Sequence, residues 1–225
     1  MGDRDIEKVS SLLANQLKIA DQRKWVEPPG PYDTIHREDE STLIVTSWND
    51  QNATPEQLEA FLRRWPPSRT PIDYCGWIVA DRGKSQRYTP NFNGLKSAFQ
   101  SLIASENVSV SEIDRIAIEN RVLPGKWMLY SDSKRIDELW GKVVKMVCSD
   151  LKKGTTKVSP KQEGDSHVIC VYVEDYTNMA EVDAMREALR AAGVFWRIGF
   201  KPDVYTHLGI YARNQWNIRP SRYFS

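Results

Sequence analysis

The sequence predicts an α+β fold, a curved and mainly antiparallel sheet with helices packed on one face. Three observations carry this expectation. Segments with apolar residues at helical spacing alternate with short β-rich runs along the chain. Several of those runs are joined by loops of hairpin length, which suits antiparallel neighbours. The 225 residues, 40% hydrophobic and 27% charged, hold ample material for one core but would make two cramped domains.

The elements follow in order. Ile6, Val9, Leu12, Leu13 and Leu17 lie near helical spacing, so residues 6–24 read as an amphipathic helix. Glu27-Pro-Pro-Gly-Pro-Tyr32 breaks it, and residues 26–41, acidic at Glu38, Asp39 and Glu40, read as a loop. Residues 1–41 are therefore expected to be an N-terminal helix and flexible linker, and residues 42–225 a single domain. A strand over 43–48 opens that domain. Thr54-Pro55-Glu56-Gln57 then combines an N-cap, Pro at the first helical position and a capping-box Gln, and the helix it starts stops at Pro66-Pro67. A strand over 76–80, a polar loop, a helix marked by Leu95, Phe99, Leu102 and Ile103, and a shorter one capped by Ser109 come next.

After Leu123-Pro124-Gly125 a strand over 126–130 leads to a long helix from about 134 to 151. Its Ile136, Leu139, Trp140, Val143, Val144 and Val147 form one apolar stripe. A strand near 156–159, a turn at 161–165 and the β-rich run 167–173 make a hairpin. Residues 177–192 read as a helix with Gly193 as its C-terminal cap, and 194–200 and 208–211 as closing strands. Trp127, Trp140 and Val171 sit on the apolar register of their elements and are expected to be buried.

Composition narrows the function classes. No run approaches the roughly 18 apolar residues of a membrane helix, and the first residues lack the apolar stretch of a signal peptide, so a cytoplasmic or nuclear protein is expected. Three widely spaced cysteines fit reduced thiols better than disulfides or a zinc site. There is no Gly-rich phosphate loop and no Gly-x-Ser-x-Gly elbow, and His36, His167 and His207 are isolated, so neither an enzyme nor a cofactor is expected. Residues 1–120 carry 14 basic against 18 acidic side chains and residues 121–225 carry 17 against 12, an asymmetry that hints at a polyanion facing the second half. There, residues 201–223 interleave Lys201, Arg213, Arg219 and Arg222 with Tyr205, Tyr211, Trp216 and Tyr223, as single-stranded nucleic-acid binding requires. A closing strand whose rings cover the sheet edge is the other reading of that alternation, above all for Tyr211.

From Gly125 onward the order is Gly-Lys-Trp-Met-Leu, Asp-Glu-Leu-Trp140, Lys-Val-Ser-Pro160, a Gly-Asp turn, His-Val-Ile-Cys-Val-Tyr172, a helix and Arg-Ile-Gly-Phe200-Lys-Pro-Asp203. This resembles the back half of cap-binding translation initiation factor 4E. Pro-Pro-Ser68, Gly-Trp77-Ile, Leu-Pro-Gly-Lys-Trp127, Lys-Val-Ser-Pro160, Val-Ile-Cys-Val-Tyr172 and the string from Lys201 to Tyr211 resemble more closely the basophilic-leukaemia-expressed protein family, whose fold is similar to that of factor 4E.

Factor 4E holds a methylated guanine between two tryptophans, reads its edge with a carboxylate and grips the phosphates with basic residues. Where its pattern has Trp-Glu ahead of Gly-Lys-Trp127, this chain reads Ile116 to Val122 without a Trp, and Glu119 reads as a solvated helix residue. The resemblance sets Lys157 near the phosphate-binding Arg and has Lys161 and His167 flank the hairpin where another basic residue is expected. Together with the tail, the expected nucleic-acid contacts are Lys157, Lys161, His167, Lys201, Tyr205, Arg213, Trp216 and Arg219. The expectation is a non-enzymatic binder of RNA or a cap-like nucleotide. The alternative is an adaptor that kept the fold and offers its helical face, with Trp140, to a protein partner, unless Trp140 is simply core.

Overall fold

The computed structural model describes residues 33–38, 41–47, 54–83 and 89–225. The expected helix over 6–24 lies outside the described residues. Among the described residues eight strands, β1 Asp33–Glu38, β2 Ser41–Ser47, β3 Trp77–Asp81, β4 Gly125–Ser131, β5 Thr155–Val158, β6 His167–Val173, β7 Gly199–Pro202 and β8 Tyr223–Phe224, form one sheet in the order β1-β2-β3-β5-β6-β4-β7-β8. Neighbours are antiparallel except β2 and β3, which run parallel. Parallel neighbours need a crossover, and helix α1, Pro55–Arg64, lies between those two strands in the chain. Its start forms as expected: the Gln57 backbone N–H donates to Thr54 Oγ1 at 3.3 Å, and the Thr54 N–H donates to Gln57 Oε1 at 2.9 Å.

The remaining helices are α2 Phe92–Ala104, α3 Val110–Glu119, α4 Ile136–Lys145, α5 Met179–Ala191 and the single turn α6 Asp203–His207. They share one core with the sheet. Trp127, Trp140 and Val171 are all buried in it, as their register required. The Trp127 indole stands edge-on to Phe200 at 5.2 Å and donates Nε1–H to the Val182 carbonyl of α5 at 3.1 Å. Phe200 also explains Gly125: a Cβ there would come within 2.5 Å of the phenyl ring.

Four expectations need correction. Residues 33–38 are not loop but strand, because pairing with β2 supplies the backbone hydrogen bonds that their polar composition hides. The helix expected to reach 151 winds as an α-helix only to Lys145; Met146–Leu151 is a π-helical turn that ends at Lys152 in the left-handed conformation. Gly199–Pro202 is strand, but the preceding residues 194–198 are not. Residues 208–211 are not a strand either: the chain turns through α6 and a left-handed Gly209, and β8 closes the sheet instead. Among the described residues no helix is long and apolar enough to cross a membrane.

Candidate nucleic-acid interface

Strand geometry sends successive side chains to opposite faces, and here it separates apolar from charged groups. Trp127, Leu129, Ile169 and Val171 of β4 and β6 point into the core. Lys126, Met128, Tyr130, Val168 and Tyr172 alternate with them and so lie on the outer face. Register extends that face across the sheet. Lys126 stands opposite Tyr172 on β6 and opposite Lys201 on β7, while Lys157 on β5 stands opposite Cys170 on β6 and Val79 on β3. Trp77, two residues before Val79, shares the outer face.

Three lysines from three strands thus converge on one surface, and each ammonium lies over a ring. Lys157 Nζ is 4.1 Å from the ring centroid of Trp77 and 5.8 Å from that of Tyr172. Lys126 Nζ is 5.5 Å from the Tyr172 ring, and Lys201 Nζ is 3.8 Å from the Tyr211 ring. All fall within the ~6 Å over which a ring quadrupole attracts a cation. Lys126 also donates to the Asp203 carboxylate at 2.6 Å. Lys201 is 5% exposed, and among the described residues no carboxylate lies within 4 Å of its ammonium. Burial, helped by the charge of Lys126 and opposed by Asp203, draws its pKa from 10.5 down to about 8. Burial also raises the Tyr172 phenol well above its usual range and pushes Cys75 and Cys148 to about 12, so all three stay protonated at neutral pH.

The expected contact residues divide. Lys157 and Lys201 are on the outer face. Lys161 is exposed in the β5–β6 turn, and Arg213 and Arg219 are exposed in the segment before β8. Trp216 is half-buried, edge-on to Phe99 at 5.0 Å. His167 is buried: its Nδ1–H donates to the Ser159 carbonyl at 3.0 Å, and Nε2 lies 2.9 Å from the Ser133 hydroxyl, so the ring braces the hairpin. Tyr205 is 1% exposed and belongs to the core, where its phenol is pushed up to about 12. His167 and Tyr205, so enclosed, present no surface to a ligand, and Lys201, enclosed to nearly the same degree, adds the field of its charge rather than a contact. Glu119 pairs with Arg115 at 2.8 Å on α3. Sequence reasoning missed Lys126, Tyr172 and Asp203, although the strict two-residue alternation of β4 and β6 was there to assign Lys126 and Tyr172 to the face away from Trp127.

One further feature borders this surface. A cleft of about 580 Å³ lies at the start of β3, lined by residues 72–77, Ser159, Pro160, Gln162 and Val168. Elsewhere Phe195, Trp196 and Phe224 are exposed, and the turn carrying the first two is held from beneath by buried Arg186, which donates to the carbonyls of Val194 at 2.7 Å and Trp196 at 3.0 Å.

Two solved structures similar in part are schistosome eIF4E complexed with m7GpppA and 4E-BP, at 13% identity, and the same factor with m7GpppG and 4E-BP, at 12%. Each match covers 47% of this chain and 60% of the other, with a TM-score of 0.34. The chain thus spans less than two thirds of the length of these relatives. The sequence model of basophilic leukaemia-expressed protein Bles03 matches residues 93–209, just over half of the chain, and the chain belongs to that family.

Proposed function

We propose that this protein is a non-enzymatic binder of RNA or of a cap-like phosphorylated nucleotide, working in the cytoplasm or nucleus through the outer face of its sheet. One observation carries the reading: Lys126, Lys157 and Lys201 share that face, with Asp203 at ion-pair distance from Lys126. A nucleic-acid backbone supplies closely spaced anions to such a row of cations, and Trp77, Tyr172 and Tyr211 supply ring faces for bases. Exposed Lys161, Arg213 and Arg219 are further cations for phosphate. His167 and Tyr205, being enclosed, are left out of the binding set. The cap-like part of the reading rests on the sequence order from Gly125 to Asp203.

The test is fluorescence anisotropy of a labelled single-stranded RNA against wild type and the Lys157→Gln/Lys161→Gln double variant, over a range of salt. With two fewer phosphates neutralised, the salt slope should fall by about 1.4 and all RNA sequences should bind more weakly to a similar degree. An unchanged slope moves the site off this face.

A second reading, docking of a protein partner, has its own support in the exposed rings of Phe195, Trp196 and Phe224. That support is not on the helical face, because Trp140 is wholly buried.

A further inference from the structure

We infer that the cleft at the start of β3 is a base subsite, holding the heterocycle of an amino-bearing nucleotide against Trp77 while its phosphate reaches Lys157. The inference rests on the nucleotide-binding reading above and goes beyond it by fixing where the base sits and which bases are preferred.

Trp77 is the shared element. Its side chain lines the cleft and also lies under the Lys157 ammonium at 4.1 Å, so one indole joins the cleft to the lysine row. Val168, on the same outer face, lines the cleft as well. A ring beside a cation is the pairing that nucleotide binding uses, the π-face for the base and the charge for the phosphate. At about 580 Å³ the cleft falls within the ~300–1,000 Å³ of small-molecule sites, ample for one nucleotide.

The walls are tied to each other. The Ile72 N–H donates to the Lys161 carbonyl at 2.9 Å and the Lys161 N–H to the Thr70 carbonyl at 2.8 Å, which pins residues 70–72 to the β5–β6 turn. Tyr74 is stacked on buried Trp65 at 5.6 Å. A cleft so preformed demands little ordering when a ligand enters.

The polar lining sets the preference. Asp73 contributes a carboxylate. Gln162 donates its amide N–H to the Ser166 carbonyl at 3.2 Å, which leaves its amide oxygen as an acceptor. Ser159 Oγ already accepts from the Val168 N–H at 2.9 Å. The Asp73 carboxylate, the acceptor-only group of this lining, complements the exocyclic amino groups of adenine, guanine and cytosine better than the two carbonyls of uracil.

Isothermal titration with AMP, GMP and UMP tests this on the full chain, in wild type, Trp77→Leu, Trp77→Phe and Asp73→Asn, each first checked for an unchanged melting midpoint. Wild type should bind AMP and GMP at least ~5-fold tighter than UMP, and removal of the stacking ring in Trp77→Leu should weaken both by about tenfold while competition by inorganic phosphate stays the same. Trp77→Phe keeps a ring and should retain most of the affinity, and Asp73→Asn should erase the preference over UMP. These two decide the question if Trp77→Leu fails to fold. Full affinity for AMP and GMP in Trp77→Leu, or no preference over UMP in wild type, overturns the subsite and leaves binding on the outer face intact. Wild type that binds no nucleotide and no RNA overturns both.

Discussion

Lys126 and Lys201 stand directly opposite each other on the antiparallel strands β4 and β7, and Asp203 lies at 2.6 Å from Lys126. Like charges so placed oppose one another across a sheet. Lys201 is enclosed beneath the Tyr211 ring, and burial first, with the charge of Lys126 second, lowers its pKa to about 8. It is still largely charged at neutral pH, so the fold holds there a cation that the described carboxylates leave unneutralised. An anion is its chemical complement.

Affinity for an anionic ligand should consequently fall as pH rises through about 8, where Lys201 gives up its proton. Stability has the opposite sign. Between about 8 and the ordinary value of 10.5 the unfolded chain binds more protons than the folded one, so the fold gains stability as pH rises across that window. Lys201→Arg stays charged throughout and should flatten the binding profile. A profile of unchanged slope in that variant would assign the titration to another group.

Discrimination between a methylated cap analogue and GTP should be slight, under about tenfold or 1.4 kcal/mol. Selectivity for a methylated, cationic base comes from stacking on electron-rich rings, and the Lys157 ammonium 4.1 Å over the Trp77 ring opposes a second cation there, as it does not oppose a neutral base. Tryptophan fluorescence titrated with both nucleotides reads this directly. Strong quenching by the methylated analogue alone would show that a ring pair forms around the base.

Trp127→Ala should destabilise the fold by about 3–5 kcal/mol, since it opens a cavity beside Phe200 and leaves the Val182 carbonyl without its indole donor. Urea unfolding followed by circular dichroism measures the effect. A change under about 1 kcal/mol would mean that the core around β4 repacks freely, contrary to the close packing expected of an interior.

Much of this architecture was legible because local signals agreed with the fold. The Thr54 capping box, the apolar stripe from Ile136 to Val144 and the run from His167 to Val173 each belong to the kind of element their pattern indicated. Failures came where long-range pairing decides: β1 owes its existence to β2, and β8 to β7. The site was half legible for the same reason. Lys157 and Lys201 stand out in the sequence, yet their common face with Lys126 depends on a strand order that puts β4 between β6 and β7. His167 was expected to contact a ligand from its place in the hairpin and Tyr205 from the interleaving of cations and rings, and burial, which neither pattern encodes, set them aside.

The most direct measurement of the central claim is amide and indole chemical-shift mapping of the protein with a short 5′-phosphorylated single-stranded RNA. Binding through the outer face predicts shifts concentrated at Lys126, Lys157, Tyr172, Lys201 and Tyr211 and at the Trp77 indole. Shifts confined to Phe195, Trp196 and Phe224, or none at all at saturating RNA, would contradict it.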